Sequence, residues 1–108
     1  MDEREFTAAA DAELARIEAA LEAASDSGFA DFDFETKQGG VIEIEFDNGS
    51  KIILNRHGAA REIWLAAKSG GYHFRPEGGR WLGTRDNEEL LAALSRTLSE
   101  QAGVKIAL

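Results

Sequence analysis

Carboxylate side chains recur between residues 11 and 35 in a pattern that suits the binding of a cation. The first group lies in a segment whose apolar spacing predicts a helix. In a projection of 100° per residue, Asp11, Glu18 and Glu22 fall within about 40° of one line. Arg16 is the single base in the whole stretch. Such a line of acids repels itself until a positive charge binds beside it.

A second group of acids follows a break at residues 25–28. Residues 31–35 alternate acids with aromatics, which is the period-two pattern of a strand with one exposed face. The acids on that face are Asp31, Asp33 and Glu35. Because consecutive elements are usually neighbours in space, we expect the helix and the strand to form one oxygen-rich edge.

The expected edge would supply only oxygen ligands, which favour hard cations and discriminate little between them. The sequence indicates no closed cage and places no imidazole within this edge, so we expect weak, hydrated binding at several positions. The alternative is that these acids are only the solvated side of an amphipathic helix, which is the common role of charged runs.

The 108 residues suffice for one domain, 1–108, with one core, and their charge is divided unevenly. Residues 1–50 hold 14 acids and 3 bases, a net charge of −11, whereas residues 51–108 hold 6 acids and 9 bases, a net charge of +3. A nucleic-acid backbone requires a basic surface, so we expect no nucleic-acid partner. A cation or a basic protein surface suits this charge distribution.

The sequence contains no cysteine, which excludes disulfides, thiolate zinc sites, cysteine nucleophiles and cysteine-ligated clusters. Its first residues lack the apolar run of a signal peptide, and no apolar stretch approaches the roughly 18 residues of a transmembrane helix. We therefore expect a cytoplasmic protein without a membrane partner.

The periodicity of the chain predicts a helix, a run of short strands and a second helix. The first helix is expected over residues 2–24, with Asp2 as its cap and Glu5 completing the capping box. Strands are expected at residues 29–36, 41–46, 51–56, 62–69, 72–75 and 80–83. This order predicts an α+β, two-layer sandwich, with the N- and C-terminal helices packed on one face of a five- to six-stranded antiparallel sheet.

Local signals predict how the later elements begin and end. Gly70-Gly71 is expected to form a tight turn between two strands. Asp86 is expected to cap the second helix, with Glu89 at the capping-box position, and Gly103 to end that helix. The apolar tail, residues 104–108, is expected to pack back onto the domain.

Trp64 is the second chemical clue in the chain. It alternates with Ile63 and Leu65, so a strand that buries those two side chains places the indole on the outer face of the sheet. Exposed tryptophans are enriched at interaction sites. The alternative is an indole half-covered by Lys68 and neighbouring strands. Asn55, at a strand end, is either a docking residue or a turn residue.

Motifs for catalysis are missing from the sequence. It contains no Glu-x-x-His pair, no His-Glu-x-x-His, no Gly-Lys-Ser/Thr loop and no Gly-x-Ser-x-Gly elbow. His57 and His73 are far apart in the chain, and we interpret them as separate surface residues rather than a two-histidine metal site. We therefore expect no enzyme, with a catalyst built from scattered carboxylates left open.

Two segments carry a resemblance to a known family. Residues 48–56 read NGSKIILNR and residues 64–74 read WLAAKSGGYHF, and the helix–sheet–helix order and the acidic first half agree with the same family. Over its whole length the chain resembles the frataxin family, most closely its bacterial CyaY branch.

The resemblance implies an iron-binding accessory protein of iron–sulfur cluster assembly. Such a protein supplies iron to, or regulates, the complex of cysteine desulfurase and scaffold protein. Fe²⁺ or Fe³⁺ would bind weakly along an acidic ridge of the first helix and first strand. The residues that match this ridge are Glu18, Glu22, Asp26, Asp31 and Asp33, with Glu35 at its end. Asn55 and Trp64 match the outer-face residues implicated in partner docking.

The chain departs from the family pattern at two places. Ala19 and Ala23 occupy helix positions where the family often has second carboxylates, so the ridge is thinner here. The loop before the tryptophan has His57, Ala59 and Glu62 where the family usually has glutamine, proline and glutamine. An acidic interaction module that regulates a basic enzyme, with incidental metal binding, is the alternative function. We expect a monomer, and an iron-oxidising or iron-storing oligomer is a further alternative.

Overall fold

The computed structural model describes residues 1–28 and 32–108. Along the described chain, six strands lie between two helices in the order α1 (Glu3–Asp26), β1 (Phe32–Lys37), β2 (Val41–Phe46), β3 (Lys51–His57), β4 (Glu62–Ala67), β5 (Gly70–Glu77), β6 (Arg80–Gly83) and α2 (Leu90–Ala102). The strands form one antiparallel sheet in the order β1-β2-β3-β4-β5-β6. The predicted α+β architecture is confirmed, with six strands. Neither helix of the described chain is long and apolar enough to cross a membrane.

The core lies between the helices and one face of the sheet. Ile42 and Ile44 of β2 are buried, whereas Glu43 and Glu45 lie on the outer face, as the alternation predicts. Both helices contribute to the same buried cluster, through Phe6, Leu14, Ile17 and Leu21 of α1 and through Leu90, Leu94 and Leu98 of α2. One face of the sheet is therefore covered and the other is open to solvent.

The predicted capping box of α1 is present. Asp2 Oδ1 accepts a hydrogen bond from the Glu5 backbone N–H at 2.8 Å, and Glu5 Oε1 accepts one from the Asp2 N–H at 3.4 Å. At its other end the helix runs through Asp26, beyond the predicted residue 24. Ser27 closes the extra turn, because its N–H donates to the Ala23 carbonyl at 3.2 Å and its Oγ to the Ala24 carbonyl at 2.6 Å.

The cap at Asp2 predicts a pH dependence of stability. The hydrogen bond from the Glu5 N–H lowers the pKa of Asp2. Its stabilisation is therefore complete above the pKa of the unfolded chain and is lost as pH falls through the folded-state value. In urea unfolding, the difference in free energy of unfolding between wild type and Asp2→Ala is expected to shrink between pH 6 and pH 3. A constant difference would contradict this; Asp2→Asn, a cap without a charge to titrate, is the control.

The predicted start of the second helix is wrong. α2 begins at Leu90, with Glu89 as an N-cap that makes no side-chain capping bond. Glu89 instead forms an antiparallel bridge with Leu82, and the Glu88 carbonyl accepts from the Gly83 N–H at 2.8 Å. This pairing holds the chain extended against β6, so a helix cannot start earlier. Asp86 only closes the preceding turn, by accepting from the Glu88 N–H at 3.0 Å.

The turn predicted at Gly70-Gly71 is also displaced. Gly70 pairs with Ala67 and Gly71 with Ala66, so both glycines belong to β5 and the turn consists of residues 68–69. Two other predictions at the end of the chain are confirmed. Gly103 ends α2 in the left-handed conformation, with φ 75°, and Ile106 of the tail is buried.

Acidic ridge and outer-face aromatic cluster

The helical part of the ridge lies on the last turns of α1. Glu18, Glu22 and Asp26 follow one another at intervals of four residues, so successive side chains are neighbours with about 5–6 Å between Cβ atoms. Glu22 and Asp26 are exposed and Glu18 is partly exposed. Since the helix continues through Asp26, this carboxylate belongs to the same helical row, which the predicted end at residue 24 did not include.

The strand part of the ridge is described at Asp33. This residue is exposed on the outer face of β1, opposite Glu45 of β2, and α1 contacts β1. Asp31 of the predicted metal set lies outside the described residues. Within the described residues, no hydrogen bond or ion pair joins Glu18, Glu22, Asp26 or Asp33 to another side chain. Among the described residues, these four negative charges therefore have no basic partner.

Two acids beside the ridge, Glu43 and Glu45 of β2, have basic partners. Glu43 on the outer face of β2 accepts from Lys37 Nζ at 2.9 Å and from Lys51 Nζ at 3.2 Å, and these hydrogen bonds lower the pKa of Glu43. The same lysine, Lys51, lies 3.7 Å from Glu45. The acids of β2 therefore differ from the described ridge acids, because lysine side chains balance the negative charges of the β2 acids.

Asp11 belongs to the predicted line of acids, but its carboxylate forms an ion pair with Arg56 of β3 and is not free to bind a cation. The Arg56 side chain is held over Gly40, where an added Cβ would lie 2.9 Å from Arg56 Cβ, and Gly40 has φ 76°. Glycine is therefore required at this turn for the arginine to reach α1. The uncompensated part of the line begins at Glu18.

Glu13 is an acid that the sequence prediction missed. It is 7% exposed, and its Oε1 accepts from Arg16 Nη1 at 2.9 Å. In helical projection it lies about 20° from Phe6, inside the buried stripe, so the projection alone could have identified it. The single base of the acidic stretch is thus engaged with a buried carboxylate and not with a described ridge carboxylate.

No preformed metal cage exists in the described part of the chain, because no three histidine, aspartate or glutamate side chains converge on one point. The ridge instead offers oxygen atoms along one side of α1 and the exposed side of β1. Ligands of this kind suit a hydrated hard cation that exchanges readily.

Trp64 lies on the outer face of the sheet, as predicted, and is half-buried there. Its indole is stacked between two imidazoles, with ring centroids 3.8 Å from His57 and 4.2 Å from His73 and with interplanar angles of 11° and 6°. Indole Nε1 donates to Glu62 Oε1 at 2.8 Å. The indole is covered by imidazoles rather than by Lys68. We name His57, Glu62, Trp64 and His73 the aromatic cluster.

Strand register explains why the aromatic cluster forms. Trp64 pairs with His73 of β5 on one side and with Asn55 of β3 on the other, while His57 pairs with Glu62. Directly paired residues point to the same face. Asn55 is half-buried and its Nδ2 donates to the Arg56 carbonyl at 3.4 Å. The two histidines interpreted as separate are therefore brought to opposite faces of one indole.

Comparison with known proteins places the chain in a family. The sequence model of a protein family, with the description "Frataxin-like domain", matches residues 1–104. The iron-sulfur cluster assembly protein CyaY of Dechloromonas aromatica (strain RCB) is 56% identical over 108 residues, covering 100% of this chain and 99% of that protein. The structure of frataxin from Psychromonas ingrahamii superimposes with a TM-score of 0.81 at 27% identity, over 99% of this chain and 97% of that chain.

A second solved structure is similar and contains iron. It is trimeric frataxin from the yeast Saccharomyces cerevisiae in complex with ferrous iron, with a TM-score of 0.76 and 25% identity over 88% of this chain and 86% of that chain. The related sequence, the family model and the similar solved structures therefore indicate the same family, and each covers most or all of the chain. The chain belongs to the frataxin family.

Proposed function

We propose that the chain is an iron-binding accessory protein of iron–sulfur cluster assembly, with iron as its cargo. It supplies iron to, or regulates, the complex of cysteine desulfurase and scaffold protein. The names of its relatives support the assembly role, since the protein from Dechloromonas aromatica is called an iron-sulfur cluster assembly protein. The ferrous complex of yeast frataxin supports iron as the metal. The role is that of a carrier or regulator rather than of a catalyst.

One observation carries the proposal, namely that the ridge carboxylates in the described part of the chain have no basic partner there. Glu18, Glu22, Asp26 and Asp33 form no ion pair within the described residues, whereas Glu43 and other nearby acids do. Repulsion between unpaired carboxylates is relieved when a cation binds among them. We include Asp31 in the binding set because it is two residues before Asp33 in the sequence.

The helix dipole adds to this repulsion at Asp26. The last turn of α1 contains no basic residue, so the carboxylate faces the negative end of the helix without compensation. A charge of the wrong sign at a helix end is unfavourable by about 0.3–1 kcal/mol. A cation bound at Asp26 would reverse that sign and stabilise the end of the helix.

Loose binding suits a carrier. The ridge would supply oxygen ligands from exposed positions, and water would complete the coordination of the ion. Few protein bonds would then need to break when iron passes to a recipient. The chain would hold iron weakly and would release it without a conformational change.

The same negative surface would recognise a protein. The net charge of −11 on residues 1–50 is complementary to a basic groove, which we assign to the cysteine desulfurase. Complementary charge raises the encounter rate, and salt weakens it because the Debye length is about 8 Å at physiological ionic strength. Trp64 and Asn55 on the outer face would contact the scaffold protein.

The alternative is an acidic regulator of the desulfurase whose metal binding is incidental. It is favoured by the lack of three converging metal ligands in the described residues. The two functions differ in whether regulation of the desulfurase survives when the ridge can no longer bind iron.

Titration with ferrous iron, followed by ¹H–¹⁵N NMR under anaerobic conditions, tests the proposal. Paramagnetic broadening is expected first at residues 18–26 and 31–35, at substoichiometric iron. Glu43 and Glu77 are internal controls, because their carboxylates are paired with Lys37 and Arg75 and should broaden later. Uniform broadening over all acids, or unchanged signals in residues 18–35, would refute the ridge as the iron site.

A further inference from the structure

We propose that His57 and His73 are positioning residues, which clamp Trp64 so that a partner meets the edge of the indole and not its face. The inference rests on the proposed function in one respect, that Trp64 contacts the scaffold protein. Beyond that contact, the stack gives the two histidines a positioning role and defines the shape of the partner surface.

Both faces of the indole are occupied. The centroid distances of 3.8 Å to His57 and 4.2 Å to His73 are van der Waals contact, and all three rings are nearly parallel. No third flat group can stack on Trp64 while these contacts persist. A partner that relied on stacking against the indole would first have to displace an imidazole.

The rotation of the indole in its own plane is also fixed. Nε1 donates to Glu62 Oε1 at 2.8 Å, and the same oxygen lies 3.5 Å from His73 Nδ1. One carboxylate thus contacts two members of the stack. The polar edge of the indole is used within the protein, and the hydrocarbon edge remains for a partner.

An apolar pair of side chains lies beside Trp64 along the same face of the sheet. Ile53 of β3 is 36% exposed and pairs with Ala66 of β4, which is the next outer-face residue after Trp64. The edge of an aromatic ring carries partial positive charge and favours the face of another ring or a carbonyl oxygen. The surface therefore fits an apolar slot on the scaffold protein that is lined by aromatic faces or carbonyl groups.

The clamp would contribute to affinity by preorganisation. A half-exposed side chain that is free to rotate loses conformational entropy when a partner immobilises it, whereas a side chain already held in a stack does not. Removing the imidazoles would leave the contact surface of Trp64 intact and would remove its rigidity. This separates a positioning role from a direct contact.

Two double variants test the clamp: His57→Ala/His73→Ala, which removes both stacking partners, and His57→Phe/His73→Phe, which keeps aromatic faces in place. The first readout needs no partner and is the ¹⁵N relaxation of the Trp64 indole N–H, assigned with Trp64→Phe. The indole is expected to be rigid in wild type and in the phenylalanine variant and mobile in the alanine variant. The second readout is the affinity for the scaffold protein.

The alanine variant is expected to bind the scaffold about 10-fold more weakly, the loss from ordering one or two side chains, and the phenylalanine variant within about 2-fold of wild type. An alanine variant with a rigid indole, or with wild-type affinity, would overturn the proposal. Equal affinities of wild type and Trp64→Ala would refute the docking function, while the relaxation measurement would still decide on the clamp. Cooperative urea unfolding of each variant excludes loss of folding as the cause.

Discussion

The variant Glu18→Gln/Glu22→Gln/Asp31→Asn/Asp33→Asn is expected to bind ferrous iron at least about 100-fold more weakly than wild type. Each amide removes one full negative charge from the ligand set, and a loss of about 0.7 kcal/mol per carboxylate, within the range of exposed ion pairs, amounts to about 100-fold over the four positions. Asp26 and Glu35 are retained, and we expect these two carboxylates to hold the ion only weakly. The measurement is an anaerobic iron titration by calorimetry or NMR.

A charge-matched control separates a defined ridge from general acidity. The variant Glu3→Gln/Asp47→Asn/Glu77→Gln/Glu100→Gln changes the net charge by the same four units at positions outside the ridge. It is expected to retain iron binding. If it loses as much iron affinity as the ridge variant, the affinity depends on net charge alone and the ridge is not a binding site. Regulation of cysteine desulfurase that persists in the ridge variant would favour the acidic-regulator function.

Trp64→Ala is expected to lower the affinity for the scaffold protein about 30-fold, the equivalent of a hot-spot residue worth 2 kcal/mol. The domain should still fold, because the indole is half-buried on the outer face and the core between helices and sheet does not contain it. The affinity would be measured by surface plasmon resonance or calorimetry, and folding by urea unfolding.

Lys68→Ala is the matched control for Trp64→Ala. Lys68 is exposed and lies four residues after Trp64 in the chain, and its contact with α2 is made by its backbone N–H to Gln101 Oε1, which the substitution leaves in place. It is expected to change scaffold affinity by less than about 2-fold, as most surface substitutions do. Loss of cooperative unfolding in Trp64→Ala would show that the indole supports the core and would contradict the assigned face.

Periodicity in the sequence was sufficient to predict the elements that bury one face. β2 was predicted with its observed bounds, Val41–Phe46, because its isoleucines and glutamates alternate without interruption. The start of α2 was not predictable in this way. Asp86 and Glu89 satisfy the local pattern of a capping box, but the bridge between Leu82 and Glu89 competes for the same backbone. A contact between residues seven positions apart overrode the local signal.

The aromatic cluster was not predicted because the turn before β5 was placed two residues too late in the chain. A hairpin centred on Gly70-Gly71 would place Trp64 opposite Glu77, whereas the turn at residues 68–69 places it opposite His73. Glycine pairs attract turn predictions because they tolerate positive φ, and here Gly70 uses φ 145° within the strand. A shift of two residues in the turn therefore concealed a contact between rings that are nine residues apart.

The ion pair between Asp11 and Arg56 shows what a single sequence leaves out. Forty-five residues separate the two side chains, and their contact depends on how β3 passes under α1 and on the space at Gly40. Helical geometry alone assigned Asp11 to the same line as Glu18 and Glu22. Tertiary contacts decide which acids of that line are still available to an ion.

The order of strands has a consequence for how the chain folds. Each strand of the sheet is hydrogen-bonded to the strand before it, across connections of two to four residues, so every hairpin closes a short loop with little loss of chain entropy. The two helices come from opposite ends of the chain and must meet over the finished sheet. The slow event in folding is therefore expected to be the joining of the two ends, and a chain still lacking its C-terminal helix would leave the apolar side of its sheet half uncovered.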